Sequence, residues 1–280
     1  MAALGTILVH VDAGPHVAAR LSAARELAAR HEAKVLALYS VMPAFIEVPF
    51  AMEAAGAALD ALRELDDERL RRARALVEQV RATPGPEVEW AEADGSASLY
   101  GFLQQAFYAD LLVLGQREPE PYTSGVAADF VATALLGSGR PALVLPHVGV
   151  PPRIGGNVMV AWKETPQAAH ALTAALPLLQ RADKVNVVTW HDGDDAPQGP
   201  LGVRPFLKAH GIEADLHHFG REPVASTGEA ILSQAADLGA DLIVMGCYGH
   251  SRARELVLGG ATRDRKSTRL NSSHTDISRM

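Results

Sequence analysis

Residues 240–264 read ADLIVMGCYGHSRARELVLGGATRD, an apolar run that ends in widely spaced glycines. Gly246, Gly249 and Gly259 stand in a G-x2-G-x9-G spacing, with Gly260 beside the last and Thr262 two residues further on. Glycine lets a backbone approach a phosphate closely, and consecutive N–H groups at the start of a helix attract anions. These residues sit between an apolar strand and a helix that restarts near Ala261, which makes them candidates for a phosphate cradle. Glycines that merely end a strand and start a helix leave the same spacing, so the motif is read with its surroundings.

Other residue types invite chemistry less strongly. His217 and His218, with His210, suggest a metal, but LHHFG reads as a strand, which turns adjacent histidines to opposite faces; no metal site is expected there. HDGDD (191–195) reads as a solvated loop. Cys247, the one cysteine, lies inside the glycine turn, where helix-start dipoles lower a thiol pKa; a small residue tolerated in a tight turn accounts for it equally. Trp162 and Trp190 end equivalent strands, where they either flank a base or pack the core. Asp12, in VDAGP before a helical run, suits N-cap and turn chemistry.

The elements that must position these residues come twice. ADLLVLG (109–115) returns as ADLIVMG (240–246), GTILVHVDAGPHVAARL (5–21) resembles GNVMVAWKETPQAAHAL (156–172), and HEAKVLALYSV (31–41) resembles RADKVNVVTWH (181–191). The copies are offset by about 130–150 residues, too far for solenoid repeats, so they predict two tandem domains, residues 1–148 and 149–264. In the first, TILVHV, KVLALYSV, VEWAEA, DLLVLG and PALVLPH read as strands alternating with helices, the longest over 57–83 and stopped at PGP (84–86). Uninterrupted apolar strands alternating with helices predict a parallel sheet covered on both faces. The Pro- and Gly-rich segment 146–156 reads as the linker.

The repeat breaks after GGATRD. Where a fifth strand matching PALVLPH is due, residues 265–280 read RKSTRLNSSHTDISRM, with Arg265, Lys266, Arg269 and Arg279 against Asp276 and no apolar periodicity. This polar tail resembles translated adaptor sequence and is set aside from fold reasoning; the second sheet is then expected to lack its last strand.

The whole chain has 280 residues, 48% hydrophobic and 21% charged, with a formal net charge of −7. An acidic chain without a basic block before residue 265 is a poor nucleic-acid binder. No run approaches the roughly 20 apolar residues of a membrane span, and MAALGTILVHVDAG shows no secretory signal, so a cytoplasmic protein is expected. A single cysteine rules out an intrachain disulfide and fits a reducing compartment. G-x-G-x-x-G after a strand, G-x-x-x-x-G-K-[ST] and G-x-S-x-G are all missing from the sequence, which weakens dehydrogenase, P-loop and α/β-hydrolase readings.

The tandem halves, HVDAG closing the first strand and MGCYGHSRARELVLGGATRD together resemble the universal stress protein family over residues 5–264. The resemblance implies two doubly wound α/β domains, each with strand order 3-2-1-4-5, packed as an internal pseudo-dimer or forming homodimers. It also implies a stress-response role with ATP, accompanied by Mg, as the ligand and an unknown protein partner, and little or no turnover. An Asp ending strand one would meet the nucleotide, and the glycine turn would hold its phosphates. Neither half carries a full set. The first keeps Asp12 and Gly115 but has Glu118 at the second motif glycine; the second keeps Gly246, Gly249, Gly259 and Gly260, with His250 and Thr262 alongside, but has Lys163 where the Asp belongs. Either Lys163 answers a phosphate charge and ATP binds in the second half, or binding is lost in both. A nucleotide-free scaffold and a slow ATP hydrolase are the alternatives.

Overall fold

The computed structural model describes residues 4–47, 56–93, 98–116, 125–191, 201–220 and 227–247. Two parallel sheets account for the nine strands among the described residues. In the first, β1 (Thr6–Val11), β2 (Lys34–Tyr39), β3 (Val88–Glu92), β4 (Leu111–Gly115) and β5 (Ala142–Leu145) lie in the order β3-β2-β1-β4-β5. In the second, β6 (Asn157–Ala161), β7 (Lys184–His191), β8 (Asp215–Gly220) and β9 (Leu242–Met245) lie in the order β8-β7-β6-β9, the same topology without a fifth strand among the described residues. Residues 146–156 run between β5 and β6.

The strands form where apolar and β-branched residues run without interruption, because a sheet covered on both faces buries every side chain. Ile7, Val9 and Val11 face one cluster with α1 (Val17–His31) and the C-terminal half of α3 (Ala57–Arg81). Leu8 faces the other, with Phe102 of α4 (Ser98–Ala106) and Phe130 of α5 (Phe130–Ser138). A four-residue helix, α2 (Ala44–Glu47), follows β2. Leu65 in the first half of α3 is exposed, so this helix buries only its later turns, through Arg69, Ala73, Val77 and Val80. In the second domain α6 (Pro166–Leu179) and α7 (Val203–Ala209) cover one face and α8 (Thr227–Asp237) the other. Ile154 and Leu178 join the first domain's cluster, which ties the two units together.

One device recurs in both halves of the repeat. Asp110, just before β4, accepts hydrogen bonds from the amides of Gly5 and Thr6 at 2.8 and 2.9 Å. Asp241, just before β9, accepts from Gly155, Gly156 and Asn157 at 2.7, 3.0 and 3.0 Å. A carboxylate thus satisfies the amides that enter the central strand before its ladder begins, which explains why Ala-Asp opens both copies of the motif.

Candidate functional site

In sheets of this topology the strand order reverses between β1 and β4, and ligands sit outside the carboxyl ends of those strands. Asp12 follows β1, and Gly115 ends β4. Asp12 is 4% exposed, and both of its oxygens are engaged: Oδ1 accepts from the Gly14 amide and Oδ2 from Nη2 of Arg20 at 2.7 Å. The N-cap of α1 is His16, so Asp12 provides turn chemistry but does not cap the helix. Burial alone would raise the Asp12 carboxyl, but the Arg20 charge and, after it, His10 hold it below the ordinary carboxylate range.

Arg20 reaches this place from the first turn of α1. A Cβ placed on Gly115 would stand 2.6 Å from Arg20 Nη1, so the guanidinium fills the space that the missing side chain leaves. Its Nε is buried with no hydrogen-bond partner among the described residues. Behind it lies His10 on β1, 2% exposed, whose Nε2 is 2.8 Å from the Ser40 carbonyl and whose ring lies 4.1 Å from that of Phe130. Burial lowers the His10 pKa from 6.5 to about 4. The imidazole is therefore neutral at physiological pH, and a neutral ring donates from Nε2 to the carbonyl.

The equivalent corner of the second domain is built differently. Ala161 of β6 lies beside Met245 of β9. Lys163 leaves the first strand and Gly246 the second at the same end of the sheet. A Cβ on Gly246 would stand 2.6 Å from the Ala168 nitrogen and 2.7 Å from the Gln167 carbonyl carbon, so the strand end meets the first turn of α6 backbone to backbone. That turn is secured by Thr165, whose hydroxyl accepts from the Ala168 amide at 3.3 Å, and by Pro166. Gly249, His250, Gly259, Gly260 and Thr262 lie outside the described residues, as do Glu118 and residues 192–195.

The remaining candidates fall into the core. Trp162 packs with the α6 face of the sheet and Trp190 with the α8 face, so the two rings do not face one another. His217 Nε2 is 3.0 Å from Asn186 Oδ1, whereas His218 Nδ1 is 2.7 Å from Thr189 Oγ1, which directs the two rings to opposite faces of β8. Among the described residues no group of three or more His, Cys, Asp or Glu side chains is placed to hold a metal ion. Cys247 is half-buried, one residue past Gly246.

Sequence reading missed Arg20. Its signal was present: Val17, Leu21, Ala24, Leu27 and Ala28 mark the buried face of α1, and Arg20 falls at that helical spacing. A charged residue on an apolar stripe requires a buried partner.

The fold is that of a universal stress protein from Archaeoglobus fulgidus DSM 4304, with a TM-score of 0.62 at 16% identity over 92% of this chain and 90% of that one. The chain is also similar to universal stress protein UspA from Lactobacillus plantarum (25% identity, 52% of this chain and 99% of that one, TM-score 0.40). A third likeness is to a universal stress protein in complex with cAMP (19%, 51% and 98%, TM-score 0.35). The first likeness establishes the architecture. No protein-family profile matches the chain, and no curated protein does. No helix of the described residues is long and apolar enough to cross a membrane.

Proposed function

We propose that this chain is a tandem universal stress protein that binds an adenine nucleotide, ATP with Mg, in its second domain and acts through nucleotide-dependent contacts with a protein partner. The observation that supports this reading is the corner where β6 and β9 diverge. There the glycine opening the G-x2-G-x9-G spacing lies against the first turn of α6, and a lysine leaves the neighbouring strand. Amides at a helix start favour anions, and a lysine beside them offers a counter-charge to a phosphate. Lys163 then answers the charge that the glycine segment brings in through Gly249, His250, Gly259, Gly260 and Thr262. Asp12 of the first domain, by contrast, spends both carboxylate oxygens inside the protein.

ATP titration by calorimetry on the full chain tests this. Micromolar binding is expected in the wild type, with a loss of at least tenfold in affinity in Gly249→Val, whose side chain blocks the backbone approach. Equal affinity in the two proteins would falsify the site. The reading is binding with little or no turnover, so hydrolysis in the same samples is expected to stay at background.

A further inference from the structure

We infer that the first domain fills its own ligand crevice with the Arg20–Asp12 pair, and that Arg20 is the residue that restricts the chain to a single nucleotide site. The inference rests on the nucleotide reading of the second domain and adds the reason for the asymmetry.

Several independent contacts close this crevice. Arg20 Nη2 holds Asp12 Oδ2, and the Gly14 amide holds Oδ1, so each carboxylate oxygen already accepts a hydrogen bond from within the first domain. Arg20 Nη1 stands over Gly115, where the strand-four turn begins. Phe130 covers His10 at 4.1 Å between ring centroids, which seals the β1 side from the α5 face. The Gly125 carbonyl, ahead of α5, accepts from the Met42 amide, beyond the end of β2, at 2.7 Å. Asp12 and Ser40, each one residue past the ends of β1 and β2, are buried, and Gly115 at the end of β4 is half-buried against Arg20. A guanidinium paired with a carboxylate and laid against a glycine supplies internally the cation–anion contact that a bound phosphate and its counter-charge would otherwise make.

The repeat shows that the arrangement is specific to one half. In the matched segments, Asp12 corresponds to Lys163 and Arg20 to Ala171. Lysine and alanine cannot form this pair, and Gly246 meets helix backbone where Gly115 meets a side chain.

Equilibrium dialysis of the full chain against ATP counts the sites. One equivalent is expected in the wild type and none in Gly249→Val. Two equivalents in the wild type, or one surviving in Gly249→Val, would place a ligand in the first domain and overturn the inference. Absence of binding in the wild type would sink the nucleotide reading instead, and a stability cycle then decides the inference alone. Gly115→Ala is made in the wild type and in Asp12→Asn/Arg20→Leu, which removes both charges together so that neither is stranded. The added methyl is expected to lower Tm by about 3 °C where Arg20 occupies the space and by less than about 1 °C where it does not. Equal drops in the two backgrounds would show that Arg20 does not fill the crevice in solution.

Discussion

Arg20 Nη2 lies 2.7 Å from Asp12 Oδ2, with both side chains less than 10% exposed, just beyond the carboxyl end of β1. Removing one partner of a buried pair strands the other charge, at a cost of roughly 3–5 kcal/mol. Arg20→Ala and Asp12→Ala are each expected to destabilise the first domain on that scale. The double variant Asp12→Asn/Arg20→Leu is expected to lose much less than the sum. Urea unfolding of the four proteins measures the coupling, and simple additivity would contradict a buried pair.

His10 predicts how stability depends on pH. Its folded pKa, about 4, is below the 6.5 of the free imidazole, so the unfolded chain takes up a proton first as the pH falls. Its contribution is therefore complete above pH 6.5 and declines between 6.5 and about 4, by roughly 3 kcal/mol at the lower limit. Asp12, held below its ordinary value, adds stability above about pH 4 that is lost only in stronger acid. His31 is also lowered to about 4, so His10→Leu should reduce the slope of the urea midpoint between pH 6.5 and 4 without abolishing it. An unchanged slope would mean that His10 is not buried neutral.

Gly246 and Gly115 are equivalent in the repeat but are expected to differ in their tolerance. A methyl on Gly246 meets the backbone of Gln167 and Ala168, which can yield only if α6 shifts. Gly246→Ala should therefore cost about 1–3 kcal/mol, the scale of overpacking a filled site. Gly115→Ala meets the end of a side chain and should cost less. Thermal unfolding of the two variants side by side gives the order, and the reverse order would contradict the close helix approach.

Asp241 holds three backbone amides and Asp110 two. Replacing either with alanine leaves donors without their partner, at about 1–3 kcal/mol where they are not rehydrated. Asp241→Ala should be the costlier of the two, because its amides at Gly155, Gly156 and Asn157 also position the chain entering β6. Amide hydrogen exchange should accelerate locally at those residues in the variant; protection equal to wild type would show that water replaces the carboxylate without loss.

Ile7, Val9, Val158 and Val160 announce central strands because apolar, β-branched residues in an unbroken run bury both faces, a property of the local pattern alone. The duplicated order of those runs then fixes two domains with the same winding. Asp12 was legible as a residue at a strand end, since VDAGP marks the turn in the letters themselves. Its partner was not, because whether residue 20 reaches residue 12 depends on how α1 lies over β1 and β4.

The amino-acid sequence by itself thus determined the strand and helix alternation, the tandem plan and the glycine spacing, since each is a periodicity or repeat carried by neighbours in the chain. Only the tertiary structure decided that Arg20 pairs with Asp12, that Gly246 touches α6 backbone to backbone, and that Trp162 and Trp190 point to opposite faces. These are matters of distance between elements. They are set by how side chains of particular volume pack a helix against a sheet, and contacts of that kind arise between segments whose separation along the chain says nothing about their separation in space.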